Sequence, residues 1–149
     1  MSEITFDVHG APAPQGSKWV GKHGNVMESS RALGPWRQAV RAEAQSRIAP
    51  GRMFAGAVTV SLTFRMKRPA SHYRTGRNAH LLRDGAPRFP AGKPDIDKLA
   101  RAVLDGLTTG GAFKDDSQVV ALTVVKRYAD RGEPTGCRIF IEDTEAPTP

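Results

Sequence analysis

Apolar and polar residues alternate along parts of the chain, as they do in β-strands that bury one face. The clearest stretch is 58–66, where every second side chain is Val, Leu, Phe or Met. The segment 4–8 alternates in the same way, and the segments 119–128 and 137–142 are also predicted to be strands. The last two are separated by the Gly- and Pro-containing segment 130–136, which predicts a turn between them.

Two other stretches place apolar residues three and four positions apart, the spacing of a helix with one buried side. The first begins at Pro35, which suits the first helical position because proline lacks an N–H group, and runs to about Arg47. The second carries one apolar face from Ile96 to Leu107 and ends at a Gly-Gly pair. Asp95 stands at its start, where a carboxylate can cap exposed backbone N–H groups.

The order of these elements predicts a single small α+β domain. We expect about four strands in a mixed or antiparallel sheet, covered by two helices and carrying a long basic loop. The 149 residues suffice for one core and are too few for two. We expect the domain to span 1–144, with a disordered tail over 145–149.

The basic loop, residues 67–93, has no periodicity and carries a single acid, Asp84. Aromatic and histidine side chains lie among its cations, so the loop combines phosphate-binding charge with groups that stack on bases. A solvated loop without a function is the alternative. The basic residues of the loop are Lys67, Arg68, Arg74, Arg77, Arg83, Arg88 and Lys93.

The chain as a whole is also basic. Lys and Arg number 22 against 15 Asp and Glu, which favours a polyanionic partner such as nucleic acid. No apolar run approaches the roughly 18 residues of a membrane span, so we expect no membrane partner. The lone Cys137 excludes an internal disulfide and a cysteine-based zinc site. With no secretory signal at the N-terminus, we expect a cytoplasmic protein, in the host cytoplasm if a phage encodes it.

Acidic residues are concentrated in one segment of this basic chain. Five of the 15 acids fall within 22 residues, at Asp95, Asp97, Asp105, Asp115 and Asp116. Carboxylates this close repel one another unless a cation lies between them, and Mg²⁺ binds through one or two carboxylates plus substrate phosphate. Each pair alone has an ordinary structural explanation, as a helix cap or a turn. Together they indicate a metal-dependent nuclease.

Several motifs of the chain closely resemble the core signature of RusA-like Holliday junction resolvases, the crossover junction endodeoxyribonucleases. The opening loop around Pro14-Gln15-Gly16-Ser17-Lys18 and the segment Pro69-Ala70-Ser71-His72-Tyr73 are also similar, the latter to phage-encoded members. The signature motifs are Lys93-Pro94-Asp95-Ile96-Asp97-Lys98-Leu99, then Arg101, then Leu104-Asp105-Gly106-Leu107, then Asp115-Asp116-Ser117-Gln118-Val119.

This resemblance implies a homodimeric endonuclease that binds four-way DNA junctions and nicks opposing strands with Mg²⁺, for which Mn²⁺ can substitute. Position by position, it implies Asp95, Asp97, Asp115 and Asp116 as metal ligands. Asp95, Asp97 and Asp116 would be catalytic together with Arg101. The DNA-binding residues that we expect are Lys18, Lys67, Arg68, Arg74, Arg77, Lys93, Lys98 and Lys126.

Two departures from the family pattern bear on mechanism. Arg101 stands where many members have a lysine, and Lys98 where many have asparagine. Arginine stabilises charge on phosphate but does not readily release a proton, so we expect charge stabilisation from Arg101, a role that Lys98 could share.

Three other functions fit parts of the sequence. A non-catalytic DNA- or RNA-binding module would show the same basic loop, and a nuclease acting on flaps or forks would show the same acids. A sugar-nucleotide transferase is disfavoured by small size and strong positive charge.

Overall fold

The computed structural model of the chain describes residues 2–16, 18–20, 26–28 and 31–145, with the backbone alone for the two short ranges. The helices are α1 (Leu33–Arg47) and α2 (Ile96–Thr109). The strands are β1 (Glu3–His9), β2 (Lys18–Val20), β3 (Val26–Glu28), β4 (Val58–Met66), β5 (Val119–Tyr128) and β6 (Gly136–Asp143).

Four of the strands form one mixed sheet in the order β1-β6-β4-β5. β4 pairs parallel with β5, while β6 pairs antiparallel with both β4 and β1. β2 and β3 form a separate antiparallel pair. The predicted fold class, a small α+β domain with two helices and a four-stranded mixed sheet, is confirmed.

One hydrophobic core lies between the sheet and the helices. Leu62 and Phe64 of β4 are buried in it, together with Trp36 of α1 and Leu107 of α2. The predicted core faces of both helices are therefore largely correct, except that Ile96 is 40% exposed. None of the helices in the described ranges has the length and apolar character needed to cross a membrane.

The apolar face of β4 is not available as a dimer interface, because Val58, Val60, Leu62 and Phe64 are buried in the core. β5, by contrast, lies at the edge of the sheet and exposes Val120 and Leu122.

Helix α1 begins two residues before the predicted start, at Leu33. Pro35 is therefore the third helical residue, which is compatible with a helix because the first four N–H groups have no partner within it. Cys137 is buried in β6 as expected, and burial raises the pKa of its thiol to about 12.

A pair of charged groups fixes the turn before β6. Arg127 donates two hydrogen bonds to Glu133, at 2.7 and 2.9 Å. Glu133 also accepts the backbone N–H of Asp130 at 2.9 Å. These bonds lower the pKa of Glu133 from 4.5 to about 2, with the Arg127 hydrogen bond as the largest cause.

We therefore expect the free energy of unfolding to depend on Glu133 at acid pH. The pKa of Glu133 is depressed in the folded state, so its contribution is complete above pH 4.5 and is lost as pH falls towards 2. In Glu133→Gln, the fall in unfolding free energy over this window should be smaller than in the wild type. Urea unfolding followed by circular dichroism at several pH values measures this. An identical pH dependence in both proteins would contradict the assignment.

Candidate active site

Helix α2 carries the middle of the acidic segment. Asp97, Arg101 and Asp105 follow one another at intervals of four residues, which puts them on one side of the helix. That side is exposed or half-buried, whereas the opposite side is buried in the core. The helix therefore displays a carboxylate, a guanidinium and a second carboxylate in a row.

The start of α2 is attached to the sheet by Lys126 of β5. Its ammonium group donates hydrogen bonds to the backbone carbonyls of Gly92 and Pro94, at 2.8 and 2.9 Å. Lys126 was predicted to bind DNA, and in this arrangement it fixes the main chain immediately before Asp95.

Asp95 is at the N-cap position of α2, but its carboxylate makes no capping hydrogen bond, so the predicted cap is wrong. The carboxylate instead lies 3.6 Å from the ammonium of Lys98. A lysine one turn into the helix competes for the charge of Asp95 more strongly than neutral N–H groups do. Lys98, a predicted DNA-binding residue, is thereby partly neutralised by Asp95.

The pair Asp115 and Asp116 lies between α2 and β5, and its two members differ in role. Asp115 accepts the backbone N–H of Ser117 at 2.7 Å, while Gln118 accepts the N–H groups of Lys114 and Asp115. Together these hydrogen bonds form a capping box that shapes the turn. They also lower the pKa of Asp115, chiefly through the hydrogen bond from the backbone N–H of Ser117. Asp115 therefore has a structural role whether or not it also binds a metal.

The pKa of Asp116 is shifted in the opposite direction. Its pKa is raised, first by desolvation and then by the negative charges of Asp115 and Asp105. A carboxylate in this situation is stabilised when a cation approaches. Asp105 thus lies close enough to Asp116 to influence its charge.

Two residues that sequence reasoning missed hold Asp105. The side-chain amide of Gln15 donates to the Asp105 carboxylate, and Arg37 of α1 lies 4.0 Å from it. Arg37 also donates to the side-chain amide oxygen of Gln15 at 3.1 Å. The backbone N–H of Gln15 donates to the backbone carbonyl of Lys98 at 3.0 Å. The opening loop is therefore docked onto α2 through one glutamine.

Gly16, the next residue of this loop, lies against Arg101 of α2. A β-carbon at Gly16 would lie 2.6 Å from the guanidinium of Arg101, so the arginine packs against bare backbone there. The glycine of the opening loop thus makes room for the residue that we expect to stabilise phosphate charge.

The donor set suits a divalent cation in chemistry, because it consists of carboxylate oxygens. Within the described ranges, however, no three His, Cys, Asp or Glu side chains converge tightly enough to hold a metal ion. Asp95, Asp97, Asp115 and Asp116 stay predicted ligands. Mg²⁺ commonly keeps several waters and takes the rest of its ligands from one or two carboxylates and the substrate phosphate, so such a site does not require a protein cage.

The basic loop is internally organised and not simply solvated. Arg68, Arg74 and Arg83 donate to backbone carbonyls of the loop itself, and Arg74 also pairs with Asp84. Lys67, Arg77 and Lys93 are exposed. Of the predicted DNA-binding residues in the loop, these three direct their charge to solvent, whereas Arg68 and Arg74 also serve the loop structure. The side chain of Lys18 is outside the described part of the structure.

Comparison with known proteins assigns the family. The model of the family described as endodeoxyribonuclease RusA matches residues 9–142, which is most of the chain. The chain also resembles the uncharacterized protein YqaN of Bacillus subtilis (strain 168), with 30% identity over 131 residues that cover 87% of this chain and 91% of YqaN.

The protein belongs to the RusA endodeoxyribonuclease family. Members of this family bind branched DNA junctions, and RusA-type nucleases generally depend on a divalent metal. The resemblance found in the sequence motifs is thereby confirmed.

Proposed function

We propose that this protein is a structure-selective endonuclease that resolves four-way DNA junctions by Mg²⁺-dependent phosphodiester hydrolysis. The observation that supports it most is the closeness of Asp105 and Asp115 to Asp116, in a RusA-family chain of net charge +7. Acids held in unfavourable proximity within a basic protein are expected where a cation and a phosphate meet.

The proposed ligands of Mg²⁺, or of Mn²⁺ in its place, are Asp95, Asp97, Asp115 and Asp116. When bound, the ion would activate water and stabilise charge on the phosphate oxygens. Arg101, whose guanidinium lies beside Gly16, would contact the scissile phosphate and stabilise its charge without exchanging a proton. Gln15 and Arg37 would keep Asp105 in place and the opening loop close to the acids.

The proposal includes a homodimer. A four-way junction has approximate two-fold symmetry, so a two-fold dimer places one active site on each of two opposing strands. We further propose that residues 1–144 form the nuclease domain, that 145–149 form a tail, and that the protein acts in the cytoplasm.

A panel of labelled substrates tests the selectivity. We expect cleavage of a four-way junction in Mg²⁺, and no cleavage of a linear duplex with the same arm sequences. A flap and a replication fork complete the panel. Faster cleavage of the flap or fork than of the junction would overturn junction resolution while keeping a metal-dependent nuclease.

A further inference from the structure

A second candidate DNA contact lies away from the acids, between the basic loop and the C-terminal end of β5. It is a cavity of about 590 Å³, large enough for a nucleotide-sized group. The acidic residues of α2 and the Asp115–Asp116 pair do not line it. The side chains that define its chemistry are Arg68, Arg88, Arg131, Tyr73, Phe89 and Tyr128.

Phe89 is the aromatic residue best placed to meet a ligand. Its side chain is 61% exposed, although burial would normally be favourable for a phenyl ring. The Arg88 guanidinium lies 5.6 Å from the centre of the Phe89 ring, so a cation flanks this aromatic surface. Arginine beside an exposed aromatic ring is the combination that binds single-stranded nucleotides, with the ring stacking on a base and the cation contacting phosphate.

On the other side of the cavity, contacts within the protein already hold the side chains in place. The Arg68 guanidinium lies 4.2 Å from the centre of the Tyr128 ring, and His72 packs edge-on against the same ring at 5.5 Å. Arg68 also donates to the carbonyl of Pro87 at 2.7 Å, which ties this wall to the segment that carries Phe89. Little side-chain entropy then remains to be lost when a ligand binds.

The charge of the cavity favours an anion. Arg127 is neutralised by Glu133, and Asp130 adds one negative charge to the lining. Arg88 and Arg131 make no hydrogen bond or ion pair to side chains within the described ranges, so their charges stay available. The lining therefore supplies uncompensated cations next to an aromatic surface.

We propose that this cavity binds an unpaired nucleotide of branched DNA, with the base against Phe89 and its phosphate near Arg88 and Arg131. The inference rests on the proposed function for the choice of DNA as ligand. It adds a recognition site that reads a base displaced from the helix, separate from the acids that would act on the backbone. Such a site would favour DNA with bases out of the stack over continuous duplex.

The test compares binding to three short duplexes in EDTA, by fluorescence anisotropy. One is fully paired, one carries a single extrahelical thymidine, and one carries an abasic residue at the same place. The abasic bulge keeps the bend and the extra phosphate but removes the base. Wild-type protein should bind the thymidine bulge on the order of tenfold more tightly than the abasic bulge, the size expected for stacking of one base.

Two variants locate the effect. Phe89→Ala should lose the preference for thymidine over the abasic residue, and its exposed ring can be removed without opening the core. Arg77→Gln, an exposed cation of the same loop that does not line the cavity, should weaken all three complexes alike and keep the preference. Equal binding of the thymidine and abasic bulges by wild-type protein would overturn the proposal, as would an unchanged preference in Phe89→Ala.

This experiment is independent of catalysis. A protein that cleaves junctions but does not distinguish the two bulges would keep the proposed function and lose the nucleotide site. A protein that prefers the thymidine bulge but never cleaves would keep the site and lose the nuclease.

Discussion

Asp116→Asn is expected to lose cleavage of a four-way junction while the protein stays at least as stable as the wild type. The amide keeps the size of the side chain and removes the negative charge. If Asp116 holds a catalytic cation, cleavage should fall on the order of a hundredfold or more. Because the charged form of Asp116 is disfavoured in the folded protein, neutralising it should not lower the thermal midpoint.

Single-turnover cleavage in Mg²⁺ and thermal unfolding measure the two effects on the same samples. Asp143→Asn is a matched control, since this aspartate lies at the end of β6 and accepts the backbone N–H of Glu145. It should keep wild-type cleavage. Wild-type cleavage by Asp116→Asn would remove this residue from the catalytic set, and a large loss of stability would show that its role is structural.

Gly136→Ala is expected to destabilise the fold by roughly 3 kcal/mol. Gly136 begins β6 with φ of 151°, which L residues rarely adopt, and a β-carbon there would lie 2.0 Å from the carbonyl oxygen of Val8. The neighbouring atom is backbone, so β1 and β6 would have to separate where His9 pairs with Gly136.

Gly132→Ala separates the collision from the backbone conformation. Gly132 lies in the same turn with φ of 81°, but no atom lies within 4 Å of a β-carbon there. It should cost only about 1 kcal/mol, the usual penalty for alanine in a left-handed conformation. Urea unfolding of both variants measures the difference. Equal losses would contradict the close approach of β1 to β6.

The elements that the sequence predicted best are those with one buried face. The predicted bounds of β4 match the structure because its apolar residues alternate without interruption and all of them meet the same core. β5 was also predicted, but as an edge strand it leaves Val120 and Leu122 exposed. The order of the strands in the sheet could not be predicted, because no local sequence pattern indicates that β6 lies between β1 and β4.

The residues of the candidate site also differ in how far the sequence predicts them. The acids could be identified because they cluster along the chain, yet their partners could not. Gln15 contacts Asp105 across 90 residues, and such long-range contacts leave no periodic signal in one sequence. The capping prediction for Asp95 failed because a side-chain cation, Lys98, competed with the backbone for the carboxylate.

The basic loop shows a similar limit. Its charge predicted contact with phosphate, but the sequence could not show that three of its arginines would hold the loop together. The cavity beside Phe89 is a product of that internal order, so it could only be found in three dimensions.

The most direct test of the nuclease assignment is cleavage of a four-way junction labelled on each strand in turn, with a matched linear duplex beside it. Wild-type protein and Asp97→Asn are compared in Mg²⁺ and in EDTA. We expect symmetric nicks in opposing strands of the junction only, present with Mg²⁺, absent with EDTA and lost in Asp97→Asn. Junction binding by the wild-type protein without cleavage, in either Mg²⁺ or Mn²⁺, would contradict the enzyme assignment and indicate a structure-selective DNA-binding protein.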